Sequence, residues 1–363
     1  MMQMELESKI VATCTPGTES VVCEEAFEVL GKACHECNRL FKGCLLIAIE
    51  RGKILECCEK ILAKMTTIHR VAIMLASSTI RSSREGLEDI YNLAYNSNVE
   101  LFIIPQITFA IRARRIGRHE FTSIEAASFA GEAVRQKIKD VYGEYPRVDL
   151  KYPQVEIMLL IVEETAIIGL LLTDNISLHK RGYRVYEHPA SLKPTIAQTM
   201  IRLAGVRDGD KVLDPMCGGG TIIIEAARRF NIKGYGMDLS PKHLRGAMLN
   251  AIAAGVFNKI TFILGDATKI DHYVSEEVDH IITNPPYGIR LTRRKIIPTL
   301  YKGLISSSSR VVRARGRLVI VTAVPRVVYD ILAGNPGMYK LVHRLNVMHG
   351  GLRAEIIVLE KTC

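Results

Sequence analysis

The chain has 363 residues, 48% of them hydrophobic and 24% charged, with a formal net charge of +10. That length suits two or three domains with real cores, and that composition excludes a disordered chain. Its apolar runs are strand-sized, as in Ile157–Val162 before Glu163-Glu164; none approaches the roughly 20 residues of a membrane span. The positive balance suits a polyanionic partner. The start, MMQMELESK, lacks the apolar core of a signal peptide and points to a cytoplasmic protein.

The first 55 residues read as a small α+β region, with strands at 9–13 and 44–49 around a helix at 19–30. Seven of the nine cysteines lie in the first 58 residues. Cys34-His35-Glu36-Cys37 has metal-ligand spacing, but no second C-x-x-C follows, so no metal is expected. Free buried thiols account for the cysteines, with room left for a disulfide.

Residues 56–174 have a different character. A strand at 71–76 and a helix at 86–97 precede Thr108–Arg115, a strand loaded with arginine. Arg112 and Arg114 share one face of it, with Arg115 and Arg118 beside the following turn. A solvated basic edge that guards against aggregation and a phosphate-contacting patch both fit these arginines. Ser123 is placed to cap a helix over 124–139, and strands at 156–162 and 166–172 form a hairpin. A basic connector, 175–205, ends in a helix.

From residue 206 strands and helices alternate, as in an open, mainly parallel sheet with helices on both faces. Strand 211–213 leads into Asp214-Pro-Met216-Cys217-Gly218-Gly-Gly220-Thr221. Its three glycines allow a ligand close to the backbone. Strand 233–237 ends at Asp238, placed to accept ribose hydroxyls, and Leu239 follows it. Strand 260–264 ends at Gly265-Asp266-Ala267, where a carboxylate could accept from an adenine amine. Strand 278–283 delivers Asn284-Pro285-Pro286-Tyr287-Gly288. Four polar residues at successive strand ends mark the ligand-binding edge of such a sheet. The spacing fits neither a dinucleotide fingerprint nor a P-loop. Arg290 and Arg293, just beyond, add positive charge. Helices near 297–314 and 325–334 and strands at 317–323 and 354–360 complete the sheet. Cys217 has no base beside it in sequence and is not expected to be a nucleophile.

The Asn284 side-chain oxygen can accept one N–H of an exocyclic amine, and the Pro285 carbonyl, held rigid by consecutive prolines, can accept the other. The Tyr287 ring can stack on the base that carries the amine.

Two resemblances follow from these motifs. FAIRARRIGRHEFTSIEAASFAGEAV and VDLKYPQVEIMLLIVEETAIIGL resemble a THUMP domain, with a ferredoxin-like region ahead of it; that pair implies grip on the acceptor stem and 3′ end of tRNA. The C-terminal half, 206–363, resembles the class I (Rossmann-like) S-adenosylmethionine-dependent methyltransferases. DPMCGGGT stands for their first motif, Asp238 for the ribose-binding acid, Asp266 for the adenine-binding acid, and NPPYG for the motif of amino-group methyltransferases. This resemblance implies S-adenosyl-L-methionine held by Asp214, Met216, Cys217, Gly218, Gly220, Thr221, Asp238, Leu239, Asp266, Ala267 and Asn284. Asn284, Pro285 and Tyr287 would be catalytic, and Pro194 and Thr195 would border the pocket. Arg112, Arg114, Arg115, Arg118, Arg290 and Arg293 would contact RNA.

The combination resembles THUMP methyltransferases acting on guanosine N2 in tRNA, nearest those of archaea and eukaryotes that modify position 6. An Asp form of the motif is more typical at position 10. Position 10, a DNA adenine or a protein glutamine are the alternative acceptors, and an RNA-binding protein with an inactive methyltransferase fold is the non-enzyme alternative. No obligate protein partner is inferred.

Overall fold

The computed structural model describes residues 8–173, 177–178, 180–288 and 294–362. The chain folds as two compact units. Residues up to Cys14 with Val22–Leu178 form one, and the rest of the chain with Thr15–Val21 forms the other.

In the first unit, β1 (Lys9–Cys14), α1 (Glu19–Leu30), β2 (Cys34–Phe41), β3 (Cys44–Ile49) and α2 (Ile54–Lys64) are followed by the long β4 (Ile68–Thr79). Then come α3 (Gly86–Tyr95), β5 (Phe109–Ile116), α4 (Ser123–Tyr142), β6 (Val155–Val162) and β7 (Thr165–Leu171). All seven strands share one sheet in the order β2-β3-β1-β4-β7-β6-β5. β4 pairs with β1 on one side and β7 on the other, so the ferredoxin-like and THUMP-like stretches meet in continuous hydrogen bonding. Ile10, Ile47, Ile61, Ile73, Ile90, Ile138 and Ile157 fill its main core. α4 starts one residue earlier than Ser123 capping would have it. Thr122 is the cap, its hydroxyl accepting from Glu125 N (3.2 Å) while Glu125 accepts from Thr122 N (2.8 Å). This reciprocal box satisfies two amides that a helix start otherwise leaves bare. Cys37 is not a thiol: it is joined to Cys23, tying β2 to α1, and the other described cysteines are free and buried.

In the second unit α5 (Pro194–Ala204) precedes β8 (Lys211–Asp214), α6 (Thr221–Arg229), β9 (Lys233–Asp238), α7 (Pro241–Ala253) and β10 (Ile260–Leu264). β11 (Val278–Thr283), α8 (Ile297–Val311), β12 (Val312–Thr322), α9 (Pro325–Ala333), β13 (Tyr339–His349) and β14 (Leu352–Lys361) follow. The sheet order is β10-β9-β8-β11-β12-β14-β13. The first five strands run parallel, and β14 is antiparallel to both its neighbours. Residues of each central strand alternate between two cores. Val212, Ile282, Val319 and Ile356 face α5 and α6, whereas Leu213, Ile281, Leu318 and Ile357 face α8. Burial on both faces is why these strands read as unbroken apolar runs. The helix expected to reach residue 314 stops at Val311 and β12 begins at once. A bulge follows, with Arg315 at φ 60 and Gly316 where a Cβ would stand 2.6 Å from the Asp279 carbonyl.

Candidate active site

The strand order reverses between β8 and β11. Loops leaving these strands at their C-terminal ends diverge and open a crevice. A cavity of about 370 Å³ lies there, lined by Asp214, Met216, Cys217, Gly218, Gly219, Thr221, Asp238 and Leu239 from the first strands and by Asn284, Pro285, Pro286 and Tyr287 after β11. The cofactor-type turn at Asp214 and the amine-type motif at Asn284, far apart in the chain, thus meet in one space.

Asp214 is buried at the end of β8. Burial pushes its carboxyl up to about 7, with the Met216 amide (3.2 Å) and the Thr283 hydroxyl pulling the other way and Asp238 adding to the rise. Gly218 and Gly220 stand at φ 53 and 80, a left-handed backbone that side chains disfavour. The Gly218 amide donates to Asp238 Oδ2 (2.9 Å), and the Ser240 amide to Oδ1 (2.8 Å), so two strand ends are locked together with carboxylate lone pairs left over. Burial pushes the Cys217 thiol well up, with Asp214 and Asp238 adding to it; it stays protonated and is no nucleophile.

Asn284 and Tyr287 touch each other: the Tyr287 hydroxyl donates to Asn284 Oδ1 at 2.5 Å. Burial, with Tyr301 nearby, holds the phenol protonated. The Tyr287 ring meets His349 edge-on at 6.4 Å between centroids.

Gly220, Asp266 and Ala267 do not line the cavity. Asp266 turns Oδ1 back to accept from Thr268 N (2.9 Å) and Oγ1 (2.8 Å), capping its own turn, and Ala267 packs into the core. Pro194 and Thr195 are buried in the first turn of α5. Their expected place is taken by His188–Leu192, a few residues earlier.

The connector is expected to border the pocket, but the residues of it that do so, this strap, are not the expected ones. Asn250, on α7, binds Tyr186 at both N (2.8 Å) and O (2.9 Å) and also the Gly219 carbonyl (2.8 Å). Arg184 bridges Leu192 O (2.8 Å) and Thr221 Oγ1 (3.0 Å), and Tyr186 Oη meets His243 Nδ1 at 2.7 Å. His188 accepts from Ala190 N through Nδ1 (3.1 Å) and lies T-shaped against His243. Burial, then His243, lowers its pKa, so it is neutral at physiological pH. His349, Gly350 and Leu352, from the β13–β14 turn, form another unforeseen wall.

On β5, at the sheet edge of the first unit, the arginines divide. Arg112 pairs with Glu156 (2.5 Å) and donates to Leu150 O (3.1 Å); Arg115 reaches Gly117 O (3.2 Å) and His119 (3.0 Å). Arg114, stacked over Phe41 at 5.7 Å, and Arg118 are exposed. Arg290 and Arg293 lie outside the described residues.

A doubly wound sheet of this order, with a glycine-rich turn and an acid on the next strand at its switch point, defines a class I methyltransferase fold. Residues 181–355 match the RMKL-like methyltransferase domain family and residues 84–171 the THUMP domain. The tRNA (guanine(6)-N2)-methyltransferase of Archaeoglobus fulgidus is 35% identical, over 96% of this chain and 91% of that protein. The enzyme of the same name from Methanocaldococcus jannaschii is 35% identical, over 81% and 86%. The crystal structure of TrmN from Thermus thermophilus superposes with a TM-score of 0.80 at 30% identity, covering 97% of this chain and 99% of that one. The chain belongs to the tRNA (guanine(6)-N2)-methyltransferase family, and S-adenosylmethionine is the methyl donor.

Proposed function

We propose that this enzyme methylates the exocyclic N2 of a guanosine in tRNA, at position 6 of the acceptor stem. The observation that carries this reading is the meeting, in one cavity, of the Asn284–Tyr287 motif with the Asp214 turn and Asp238. Relatives that match most of the chain carry that activity and position in their names.

The residues present fit S-adenosylmethionine. The bare Gly218–Gly219 backbone and the free lone pairs of Asp238 suit a ribose and an amino-acid tail, and exposed Leu239 offers an apolar face. When bound, the cofactor supplies a methyl already activated on a sulfonium. The protein therefore contributes alignment and electrostatics rather than a strong base. Asn284 Oδ1 and the Pro285 carbonyl accept the two N–H bonds of the amine and draw its lone pair out of conjugation. A stem guanosine must leave its pair to reach them, at a cost of a few kcal/mol. Arg114 and Arg118, with the THUMP domain, hold the tRNA and offset that cost. The enzyme then works where tRNA is processed, in the cytoplasm; no helix among the described residues is long and apolar enough to cross a membrane.

The test is labelled methyl transfer to unmodified tRNA transcript with mapping of the product. N2-methylguanosine at position 6 is expected. Transfer only to DNA or protein acceptors overturns the reading, and N2-methylguanosine elsewhere overturns the position.

A further inference from the structure

The ring of Tyr287 has a use in this site, but its hydroxyl is engaged with a single atom, Asn284 Oδ1. A carboxamide has two ends of nearly equal size and opposite hydrogen-bonding character, an oxygen that accepts and an NH2 that donates. Only the oxygen can take an N–H from an amine. Turned about, the NH2 would confront the amine's own hydrogens and the acceptor would be lost. We propose that Tyr287 is a positioning residue whose hydroxyl, by donating to Oδ1, fixes which end of the Asn284 side chain meets the substrate amine.

The chemistry allows both bonds at once, because Oδ1 has two lone pairs and the phenol uses one. In the bond present the hydroxyl is the donor, because an amide oxygen offers no proton and burial keeps the phenol protonated. The ring is braced from another side by His349 on the β13–β14 turn, and all three residues line the cavity. The proposal rests on the reading of Asn284 as acceptor for the amine.

The test compares single-turnover methyl transfer in Tyr287→Phe, Asn284→Asp and the double variant, with Asn284→Ala alongside. Tyr287→Phe keeps the ring. It should retain native affinity for S-adenosylhomocysteine and native KM for tRNA while the transfer rate falls about 10-fold, the worth of one neutral hydrogen bond. A carboxylate accepts at both ends and has no orientation to fix. In the Asn284→Asp background, therefore, removing the hydroxyl should change the rate less than about 2-fold, a coupling the cycle reads directly. Equal losses in both backgrounds, or a Tyr287→Phe rate at or above native, overturn the positioning role, the faster rate by showing that the hydroxyl blocks the amine. An inactive Asn284→Ala beside a native-rate Tyr287→Phe overturns this proposal alone. A fully active Asn284→Ala overturns the reading of the site and this proposal with it.

Discussion

Gly246, in the middle of α7, touches no ligand-lining surface, yet its replacement by alanine should impair the site. A Cβ there would stand 2.2 Å from Cδ1 of Tyr186 and 2.4 Å from Cγ. The ring would have to recede by more than about 1 Å to regain an ordinary carbon–carbon separation. It cannot do so freely: Asn250, one turn further on, holds Tyr186 N and O, and His243 holds its hydroxyl. Overpacking of this kind costs about 1–3 kcal/mol, and each hydrogen bond given up about 1 kcal/mol more. Against this, alanine gains about 1 kcal/mol of helix propensity over glycine. The strain is relieved most cheaply by displacing the strap, which carries His188–Leu192 of the cavity wall. Calorimetric titration of Gly246→Ala with S-adenosylhomocysteine should show an affinity lower by roughly 10- to 100-fold, since each 1.4 kcal/mol is a factor of ten, with the Tm lower by a few degrees. Native affinity in a folded Gly246→Ala would show that the strap does not form the pocket, and the argument would fail.

The other predictions are simpler. Asp238→Ala removes a charged acceptor and the tie to Gly218 and should weaken S-adenosylhomocysteine binding by roughly 10- to 100-fold; unchanged affinity refutes the assignment. Replacing exposed Arg114 and Arg118 together by alanine should weaken tRNA binding and lower the salt slope by about 2, as filter-binding titrations over salt would show. Arg112→Ala should act on stability instead, because Glu156 (side chain 8% exposed) loses that partner; the drop should approach the roughly 3–5 kcal/mol of a broken buried pair, with the slope unchanged. Asp214, raised to about 7 when folded from about 4 when unfolded, contributes stability that is complete below pH 4 and is lost as pH rises through 7. The difference in Tm between the native enzyme and Asp214→Asn should therefore shift across that window, and a constant difference would refute the raised pKa.

The parts legible in the sequence are those whose neighbours impose a pattern. β11 and β12 are apolar on both faces because both faces are covered, and the turn after β8 announces itself by glycines that its backbone angles require. β2 and β13 went unread because they are edge strands, mostly exposed along their length, and carry Glu36, Arg39, Lys340 and Arg344 where a central strand would be apolar. The strap is harder still. It has no period of its own, and what holds it is Asn250, 64 residues from Tyr186. Arg112 and Arg114 share a face, as alternation demands, but only the structure shows that the first of them pairs with Glu156. Thr122-Ser-Ile-Glu125 did contain its answer, since the reciprocal cap needs threonine and glutamate three apart.

The reversal of strand order also divides labour along the chain. The residues proposed to hold the ribose and tail of the donor, Gly218 to Leu239, come from one contiguous passage, β8 through β9, beside the strap that α7 secures. The residues proposed to face the acceptor base, Asn284 to Tyr287, come later in the chain. A lineage can therefore exchange one nucleobase for another by altering the later passage while the earlier one is inherited intact.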